Sequence, residues 1–289
     1  MVAVAEEGSI AAAARRVHLS QPALTRSIQT LEAEAAIPLF DRGARGMTLT
    51  STGRMVVERA RRILFETRCL IRDLTLISEH VIGNVNLGLG PFPAAALLPD
   101  ILQTLHRDWP KLQVAAQVNG APTLFGALHT EVLDFIVVER RTVPQAAELE
   151  VRRLRPEQAG FFVRPSHPLC VNRYVTPIQL REATLVSAPF PARGHAAFRR
   201  LLGCRSDERL PLQLESNDFH ALRLLACRSD AVLLGPVRAL TADVKAGELV
   251  QLEVEDTASL AMEFAVVHLA QRTLSPAALR VLAVVEALG

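Results

Sequence analysis

Apolar residues in the first eighty positions recur at the spacing of an amphipathic helix. Ser9 is a good N-cap for the alanine-rich stretch 10–17, because alanine is a strong helix former. A second helix is predicted after Ser20-Gln21-Pro22, where serine caps and proline is tolerated in the first turn. Its apolar positions follow spacings of four and three, at Leu24, Ile28 and Leu31. The pattern predicts two short helices joined by a tight turn at His18-Leu19.

The second predicted helix turns hydrogen-bonding side chains away from its apolar stripe. These residues are Gln21, Thr25, Arg26 and Gln29. Helix-turn-helix proteins insert such a helix into the major groove of DNA, where arginine bonds to guanine, glutamine to adenine, and hydroxyls to bases or phosphates. An ordinary helical hairpin with a solvated polar face agrees with the periodicity equally well. Periodicity alone therefore leaves both interpretations open.

A small β-hairpin is predicted between Leu39 and Thr50. Two glycines, Gly43 and Gly46, flank a short basic stretch, and alternating residues follow it. Beside a recognition helix such a hairpin forms a wing, whose arginines meet phosphates or a narrow minor groove. The candidate wing residues are Arg42 and Arg45. As isolated surface arginines they would indicate no particular function.

A long helix is predicted from residue 51 onward, and Gly83-Asn84 ends it. Its apolar residues alternate by four and three over about three heptads, the pattern of a coiled coil. The seam consists of Val56, Ala60, Ile63, Thr67, Leu70, Leu74 and Ile77. The helix either packs against its own domain or pairs with the same helix of a second protomer. The second arrangement suits a dimer that presents two helix-turn-helix units to two half-sites of DNA.

From Asn84 onward short β-branched runs alternate with helical stretches. The predicted strands are 85–89, 112–118, 133–138, 161–163, 210–214 and 231–234. Helical patterns at 94–107 and 219–227 separate them, and an amphipathic helix at 275–288 ends the chain. Strand–helix alternation predicts βαβ units and a mostly parallel sheet.

Composition agrees with a globular protein. The chain has 289 residues, of which 49% are apolar, enough for roughly two domains of ~100–200 residues. Residues 1–75 hold 11 Arg and 8 Asp+Glu, a balance of +3 within a net charge of +2, which is weak evidence for an anionic partner. We expect a cytoplasmic protein, because the start is no secretory leader and the longest uncharged stretch, 81–99, contains three Gly and three Pro.

Patterns typical of enzymes are missing from the sequence. Its eight histidines form no His-Glu-x-x-His pattern, and there is no Gly-x-Ser-x-Gly elbow or phosphate-binding Gly-x-x-x-x-Gly-Lys loop. Its four cysteines lie far apart, which disfavours a zinc ribbon or a disulfide scaffold. We therefore expect a protein that is not an enzyme, with no catalytic residue, metal site or cofactor.

The run GSIAAAARRVHLSQPALTRSIQTLEAEAAIPLFDR, followed by GMTLTSTG, resembles the LysR-type transcriptional regulators. The specific part is an ordered set of identities: Ala13-Ala14, residues 20–25, Ile28, Leu31-Glu32, Leu39-Phe40, Arg42, Leu49-Thr50 and Gly53. The remaining chain also fits in length and order. The resemblance implies an α/β protein with an all-α N-terminal part. It implies a winged helix-turn-helix at 1–50, a linker and dimerisation helix at 51–82, and a two-lobed, Rossmann-like effector domain at 83–289. The two lobes, similar to a type 2 periplasmic binding protein, are about 84–156 with 260–289, and about 157–259.

The resemblance also implies a function and partners. The function is sequence-specific regulation of transcription. The partners are double-stranded promoter DNA and a small-molecule effector bound between the lobes, and the chain is expected to associate with itself into a homodimer and homotetramer. The expected DNA contacts are Ser20, Gln21, Pro22, Thr25, Arg26, Gln29, Arg42 and Arg45.

Effector contacts are expected in loops at the carboxyl ends of strands, where helix N-termini face the ligand. The candidates are Pro91, Phe92, Ala121, Thr123, Arg193, Asp218 and Pro236. Thr123 matches a position where the family often has a hydroxyl, Arg193 suits an acidic ligand, and Asp218 suits hydroxyls or caps a helix. For each of these residues a role in helix capping or turn geometry agrees with the sequence at least equally well. The first loop lacks the Ser or Thr of many relatives, which favours apolar contact.

Two departures from the family's pattern stand out. Members usually carry further residues before Met1, so the chain is expected to begin inside the first helix. Ala35-Ala36 replaces a usual Leu-Gly pair, and a left-handed residue 36 would cost ~1 kcal/mol without glycine. The alternative function is therefore a ligand-binding or oligomerising protein with an impaired DNA-binding head.

Overall fold

The structure is a computed structural model of the chain. It describes residues 1–289 except 44–45, 80–82, 190–191, 206–207, 209 and 255–260, and for residues 42, 46, 72–79, 192–193 and 197 only the main chain is described. The chain divides into two compact units, Met1–Thr75 and Leu76–Gly289.

The first unit contains helices and one hairpin. Its elements are α1 (Val2–Glu7), α2 (Ile10–Arg16), α3 (Gln21–Ala35), β1 (Phe40–Gly43), β2 (Gly46–Leu49) and α4 (Ser51–Glu79), the last of which extends beyond this unit. As predicted, Ser9 and Ser20 cap α2 and α3 by accepting hydrogen bonds from the amides of Ala12 and Ala23. Strands β1 and β2 are antiparallel, with Phe40 opposite Leu49 and Gly43 opposite Gly46.

Two polar side chains join the hairpin to the helices around it. Glu32 Oε1 accepts hydrogen bonds from the amides of Leu39 (2.8 Å) and Phe40 (3.1 Å), so the last turns of α3 hold the start of β1. Thr50 Oγ1 accepts from the amide of Gly53 and starts α4. A Cβ at position 53 would lie 2.0 Å from the carbonyl oxygen of Leu39, so this close approach requires glycine.

The second unit is α/β. Its strands are β3 (Asn84–Leu89), β4 (Gln113–Val118), β5 (Phe135–Glu139), β6 (Leu149–Arg153), β7 (Glu157–Val163), β8 (Thr184–Ser187), β9 (Leu212–Glu215), β10 (Ala231–Pro236), β11 (Val250–Leu252), β12 (Ala261–Met262) and β13 (Phe264–Leu269). Its α-helices are α5 (Pro91–Asp108), α6 (Ala121–His129), α7 (Pro177–Glu182), α8 (Ala192–Leu201), α9 (Phe219–Arg228), α10 (Val237–Ala246) and α11 (Pro276–Leu288). Two 3₁₀ turns lie at Arg140–Thr142 and Pro168–Val171.

These strands form two sheets, which define two lobes. The first lobe has the order β4-β3-β5-β13-β6, and the second has β11-β7-β10-β8-β9 with β12 beside β7. Alternate residues of one strand enter different cores: Val137 packs with α5 and α11, whereas Ile136 packs with α6. The chain therefore crosses from the first lobe to the second after β6 and returns before β13, and the two-lobed α/β fold is confirmed.

The expectation of a mostly parallel sheet is wrong. Of the nine strand pairings described in this unit, four are parallel and five antiparallel. Parallel neighbours need a crossover helix, whereas β6, β7 and β13 are reached through short links without an α-helix. Strand β13 therefore runs antiparallel to its neighbours β5 and β6, and β7 runs antiparallel to β10 and β11.

Candidate functional site

The polar face of α3 lies exposed at the surface of the first unit. Leu24 and Ile28 are 4% and 3% exposed and pack against α1, α2 and the hairpin. On the other side of the helix Gln21, Arg26 and Gln29 are exposed, and Thr25 is half-buried. The helix therefore presents a row of hydrogen-bonding groups over its first turns.

A tight turn aims this helix. His18 adopts a left-handed conformation (φ 55°), and the amide of Leu19 donates to the carbonyl of Ala14 at 3.0 Å. Ser20 and Pro22 then start α3 at the surface, with Ser20 Oγ serving as the cap. A short helix, a tight turn and an exposed helix start form the geometry that lets a helix enter the major groove.

The two candidate wing arginines belong to the hairpin region. Arg42 belongs to β1, but only its main chain is described. Arg45 lies outside the described residues. Their predicted contacts with phosphate or the minor groove therefore stay predictions.

The second unit contains a cavity of ≈ 520 Å³ between its lobes. Its walls come from the carboxyl ends of β3, β4, β5, β8 and β9, the edge where ligands bind in parallel sheets. The lining residues are Gly90, Pro91, Phe92, Pro93, Gly120, Ala121, Pro122, Phe125, Val138, Glu139, Thr142, Pro144, Pro189 and Asn217. The volume lies within the ~300–1,000 Å³ of small-molecule sites, and apolar groups make up most of the wall.

Glu139 is the charged side chain among these lining residues. It is 11% exposed, and its Oε2 accepts a hydrogen bond from the amide of Arg141 at 2.9 Å. Burial raises the pKa of this carboxyl, and the amide and guanidinium of Arg141 offset part of that effect. The guanidinium Nε lies 3.7 Å from Oε1. The cavity is thus an apolar space with one buried carboxyl group in its wall.

The structure brings together some of the predicted effector residues. Pro91, Phe92 and Ala121 line the cavity, whereas Thr123 is exposed just beyond the lining residue Pro122. Asp218 is exposed and caps α9 by accepting from the amide of Ala221.

The other two predicted effector residues do not form part of the described wall. Pro236 is buried at the start of α10 and does not line the cavity. Arg193 follows the lining loop at Pro189, and its side chain lies outside the described part of the chain.

Sequence reasoning missed Glu139 and Thr142, although a signal for Glu139 was available. Glu139 is the last residue of β5, directly after the predicted strand 133–138, and the rule that ligands bind at the carboxyl ends of strands applies to it. Asn217 lines the cavity, whereas its predicted neighbour Asp218 does not.

Within the described residues, no helix is long and apolar enough to span a membrane. No group of three or more His, Cys, Asp or Glu in that part of the chain is arranged to hold a metal ion.

Comparisons with known proteins agree with both units. A family model described as "Bacterial regulatory helix-turn-helix protein, lysR family" matches residues 1–54, and "LysR substrate binding domain" matches residues 78–289. The "SDS degradation transcriptional activation protein" of a Pseudomonas species is 36% identical over 96% of this chain and 90% of the relative. The "Uncharacterized HTH-type transcriptional regulator YdcI" of Escherichia coli is 30% identical over 88% of this chain and 82% of its own.

Solved structures share the fold. A full-length OxyR variant from Pseudomonas aeruginosa has a TM-score of 0.68 at 21% identity and covers 99% of this chain and 91% of its own. Full-length CbnR in complex with its target DNA has a TM-score of 0.64 at 20% identity and covers 100% of this chain and 97% of its own. The chain therefore belongs to the LysR family of bacterial transcriptional regulators, with a helix-turn-helix DNA-binding domain and a domain that binds a small-molecule effector.

Proposed function

We propose that this regulator reads promoter DNA with the exposed face of α3 and responds to an apolar small molecule bound in the 520 Å³ cavity. The observation that carries the proposal is the wall of that cavity at the carboxyl ends of five strands, where five prolines and two phenylalanines make up half of the lining residues. We assign no reaction to the site. The protein acts in the cytoplasm, where its DNA is, by binding and release rather than by turnover.

The DNA contacts follow from exposure and chemistry. Gln21, Arg26 and Gln29 are exposed and can bond to base edges. We assign Ser20, Pro22 and Thr25 to contacts with the bases or the phosphate backbone. Arg42 and Arg45 of the hairpin add phosphate or minor-groove contacts. A match to the helix-turn-helix family over residues 1–54 favours a working DNA-binding head over a chain that binds ligand alone.

Self-association is proposed through α4. Ile63 and Leu70, both on the predicted seam, are 67% and 58% exposed, and Met55, Leu64 and Ile71 are exposed as well. Apolar residues at heptad spacing bury this surface when two helices pair. We propose DNA binding by residues 1–50, dimerisation by 51–82 and effector binding by 83–289, with dimers that associate into tetramers.

An alkyl compound is the effector class that the comparisons favour. The relative at 36% identity is named for transcriptional activation of SDS degradation, and SDS carries a long alkyl chain. An apolar cavity suits such a chain, because burial of alkyl groups is favourable by ~0.8 kcal/mol per CH₂. We propose that this chain controls genes for the breakdown of an alkyl compound.

In vitro transcription tests this proposal. The template carries the DNA upstream of the regulator's own gene, and 1-decanol, decanoate and decyl sulfate are added separately. We expect at least one of them to change the transcript level with the wild-type chain and not with Phe125→Ser, which places a hydroxyl in the cavity wall. Binding of the variant to the same DNA is the control. Equal responses of both chains, or no response to any alkyl compound, would refute the proposal.

A further inference from the structure

The chemistry of the cavity wall restricts the head group of the ligand. We infer that the cavity selects an uncharged alkyl or aryl compound whose polar group is a hydroxyl, and that it discriminates against the carboxylate or sulfate with the same chain. This inference rests on the proposed function, since it specifies the ligand of that same site.

Prolines reduce the anion-binding capacity of the two helices that start at the cavity. The first three residues of α5 are Pro91, Phe92 and Pro93, and the second residue of α6 is Pro122; all four line the cavity. The first residues of a helix normally present unpaired N–H groups, which hold anions together with the helix dipole. Proline has no N–H. Three of the six positions that would supply such donors therefore supply none.

Glu139 places a carboxylate where an anionic ligand would need a cation. Its Oε2 already accepts the amide of Arg141, while its Oε1 has the guanidinium Nε at 3.7 Å, beyond hydrogen-bond distance. The amide of Glu263 also donates to this carboxylate. Each carboxylate oxygen has two acceptor sites, so the carboxylate can still accept a hydrogen bond from a donor in the cavity. A hydroxyl supplies that donor, whereas a carboxylate or sulfate adds a like charge in a space with low dielectric constant.

A cationic head group is disfavoured by the charges around Glu139. Arg141 lies 3.7 Å from Glu139 and 3.8 Å from Glu263, and Glu263 also pairs with Arg140. Each carboxylate is thus balanced by a guanidinium, and the charge of Arg153 also acts on Glu263, so no negative charge is left over to hold a cation. Among the described lining residues there is no second acid that would compensate a buried ammonium group. The balanced network and the apolar wall together favour a neutral ligand.

The test uses the full-length chain and four ligands with one chain length: 1-decanol, decanoate, decyl sulfate and decylammonium. Each is titrated calorimetrically below the concentration at which it aggregates. We expect 1-decanol to bind at least tenfold more tightly than the three charged ligands. Tighter or equal binding of any charged ligand, or no binding of 1-decanol, would overturn the inference. Binding of decanoate alone would leave an effector cavity in place and refute only the neutral head group.

Two variants link the preference to the residues named. Glu139→Gln removes the charge and keeps an acceptor, so we expect 1-decanol to bind about fivefold more weakly, as a hydrogen bond to a charged group is replaced by a neutral one. The preference for 1-decanol over decanoate should shrink by more than that factor. Glu182→Gln, at an exposed carboxyl on α7, is the matched control and should change neither value. An unchanged preference in Glu139→Gln would contradict the role of this carboxyl.

Pro122→Ala tests the missing donor without disturbing the core, because Pro122 is exposed at the start of α6. It restores one N–H, so we expect decanoate to bind several-fold more tightly and 1-decanol to bind as before. Arg193→Gln tests the opposite possibility, that the cavity prefers an acidic ligand. A wild-type preference for decanoate that disappears in this variant would support Arg193 as the contact of an acidic ligand and overturn the inference.

Discussion

Phe92 and Phe219 meet edge to face between the two lobes of the second unit, with ring centroids 6.3 Å apart and planes at 69°. Phe92 lines the cavity, and Phe219 begins α9 two residues after the lining residue Asn217. A Cβ at Gly235 would lie 2.5 Å from Phe219 Cζ, so this glycine leaves room for the ring. The aromatic pair therefore couples the position of the second lobe to the wall of the cavity.

Truncation of Phe219 should loosen that coupling. For Phe219→Ala we expect a loss of about 3 kcal/mol of stability, at the low end for a buried phenylalanine because this ring is half-buried. The affinity for 1-decanol should fall as well. In Phe219→Leu, which keeps apolar volume, both the stability and the affinity should fall less. Thermal unfolding and calorimetric titration measure the two effects. A Phe219→Ala chain with wild-type stability and affinity would contradict the coupling.

Asp134 and Arg272 form a buried ion pair in the first lobe. Arg272 Nη2 lies 3.0 Å from Asp134 Oδ1, and Asp134 Oδ2 accepts the amide of Asn86 at 2.8 Å. Removal of one partner leaves a buried charge, so we expect Asp134→Ala to destabilise this unit by about 3–5 kcal/mol. Urea unfolding followed by the fluorescence of Trp109, which packs against the core of the same lobe, measures this. The double variant Asp134→Ala/Arg272→Met should be less unstable than the single one; additive losses would contradict the pairing.

Ala36 is strained at the end of α3. Its φ of 53° and ψ of 27° are left-handed, a conformation that glycine adopts without cost. We expect Ala36→Gly to stabilise the first unit by up to about 1 kcal/mol. The control Ala33→Gly, in the helical part of α3, should destabilise it by about 0.5–1 kcal/mol. Hydrogen exchange of the α3 amides measures both. A loss of protection in Ala36→Gly would show that the strain does not determine stability.

Glu139 should make stability depend on pH. Burial, the largest cause, raises its pKa above the ordinary 4.5. The amide and guanidinium of Arg141 and the amide of Glu263 lower it, whereas the charge of Glu263, which pairs with Arg140, raises it. The folded state thus holds the proton more tightly than the unfolded state. Its contribution is fully present below the unfolded pKa and is lost as pH rises through the folded pKa.

We therefore expect the wild-type urea midpoint, relative to that of Glu139→Gln, to fall as pH rises from below 4.5 toward neutrality. Trp109 fluorescence across a pH series provides the midpoints. A difference between the two chains that stays constant or rises with pH would contradict the raised pKa.

Local signals made the first unit largely predictable. Ser9 and Ser20 mark the starts of α2 and α3, and the left-handed Ala36 lies where the sequence resemblance leads us to expect glycine. These features depend on residues close together in sequence, so periodicity and capping chemistry suffice to find them. The helical periodicity that places Leu24 and Ile28 in the core also predicts which face of α3 is exposed.

The second unit was less predictable, because its geometry depends on residues far apart in sequence. No local signal shows that β13 runs antiparallel to β5, across more than a hundred residues. The loops around the cavity were predicted, but not which side chain in each loop faces it: Ala121 lines the wall, whereas Thr123, two positions later on α6, is exposed. Charge balance around Glu139 depends on Glu263, which arrives from the returning segment.

Fluorescence anisotropy tests most directly whether α3 reads DNA. Purified chain is titrated into labelled DNA from upstream of its own gene and into a scrambled duplex across a salt series. We predict selective binding that weakens with salt, and a loss of about tenfold or more in Arg26→Ala, since a base contact contributes about 1–3 kcal/mol of discrimination. Arg62→Ala, at an exposed arginine on α4, is the control and should keep the sequence preference. Equal affinity for both duplexes, or an unchanged preference in Arg26→Ala, would contradict the account.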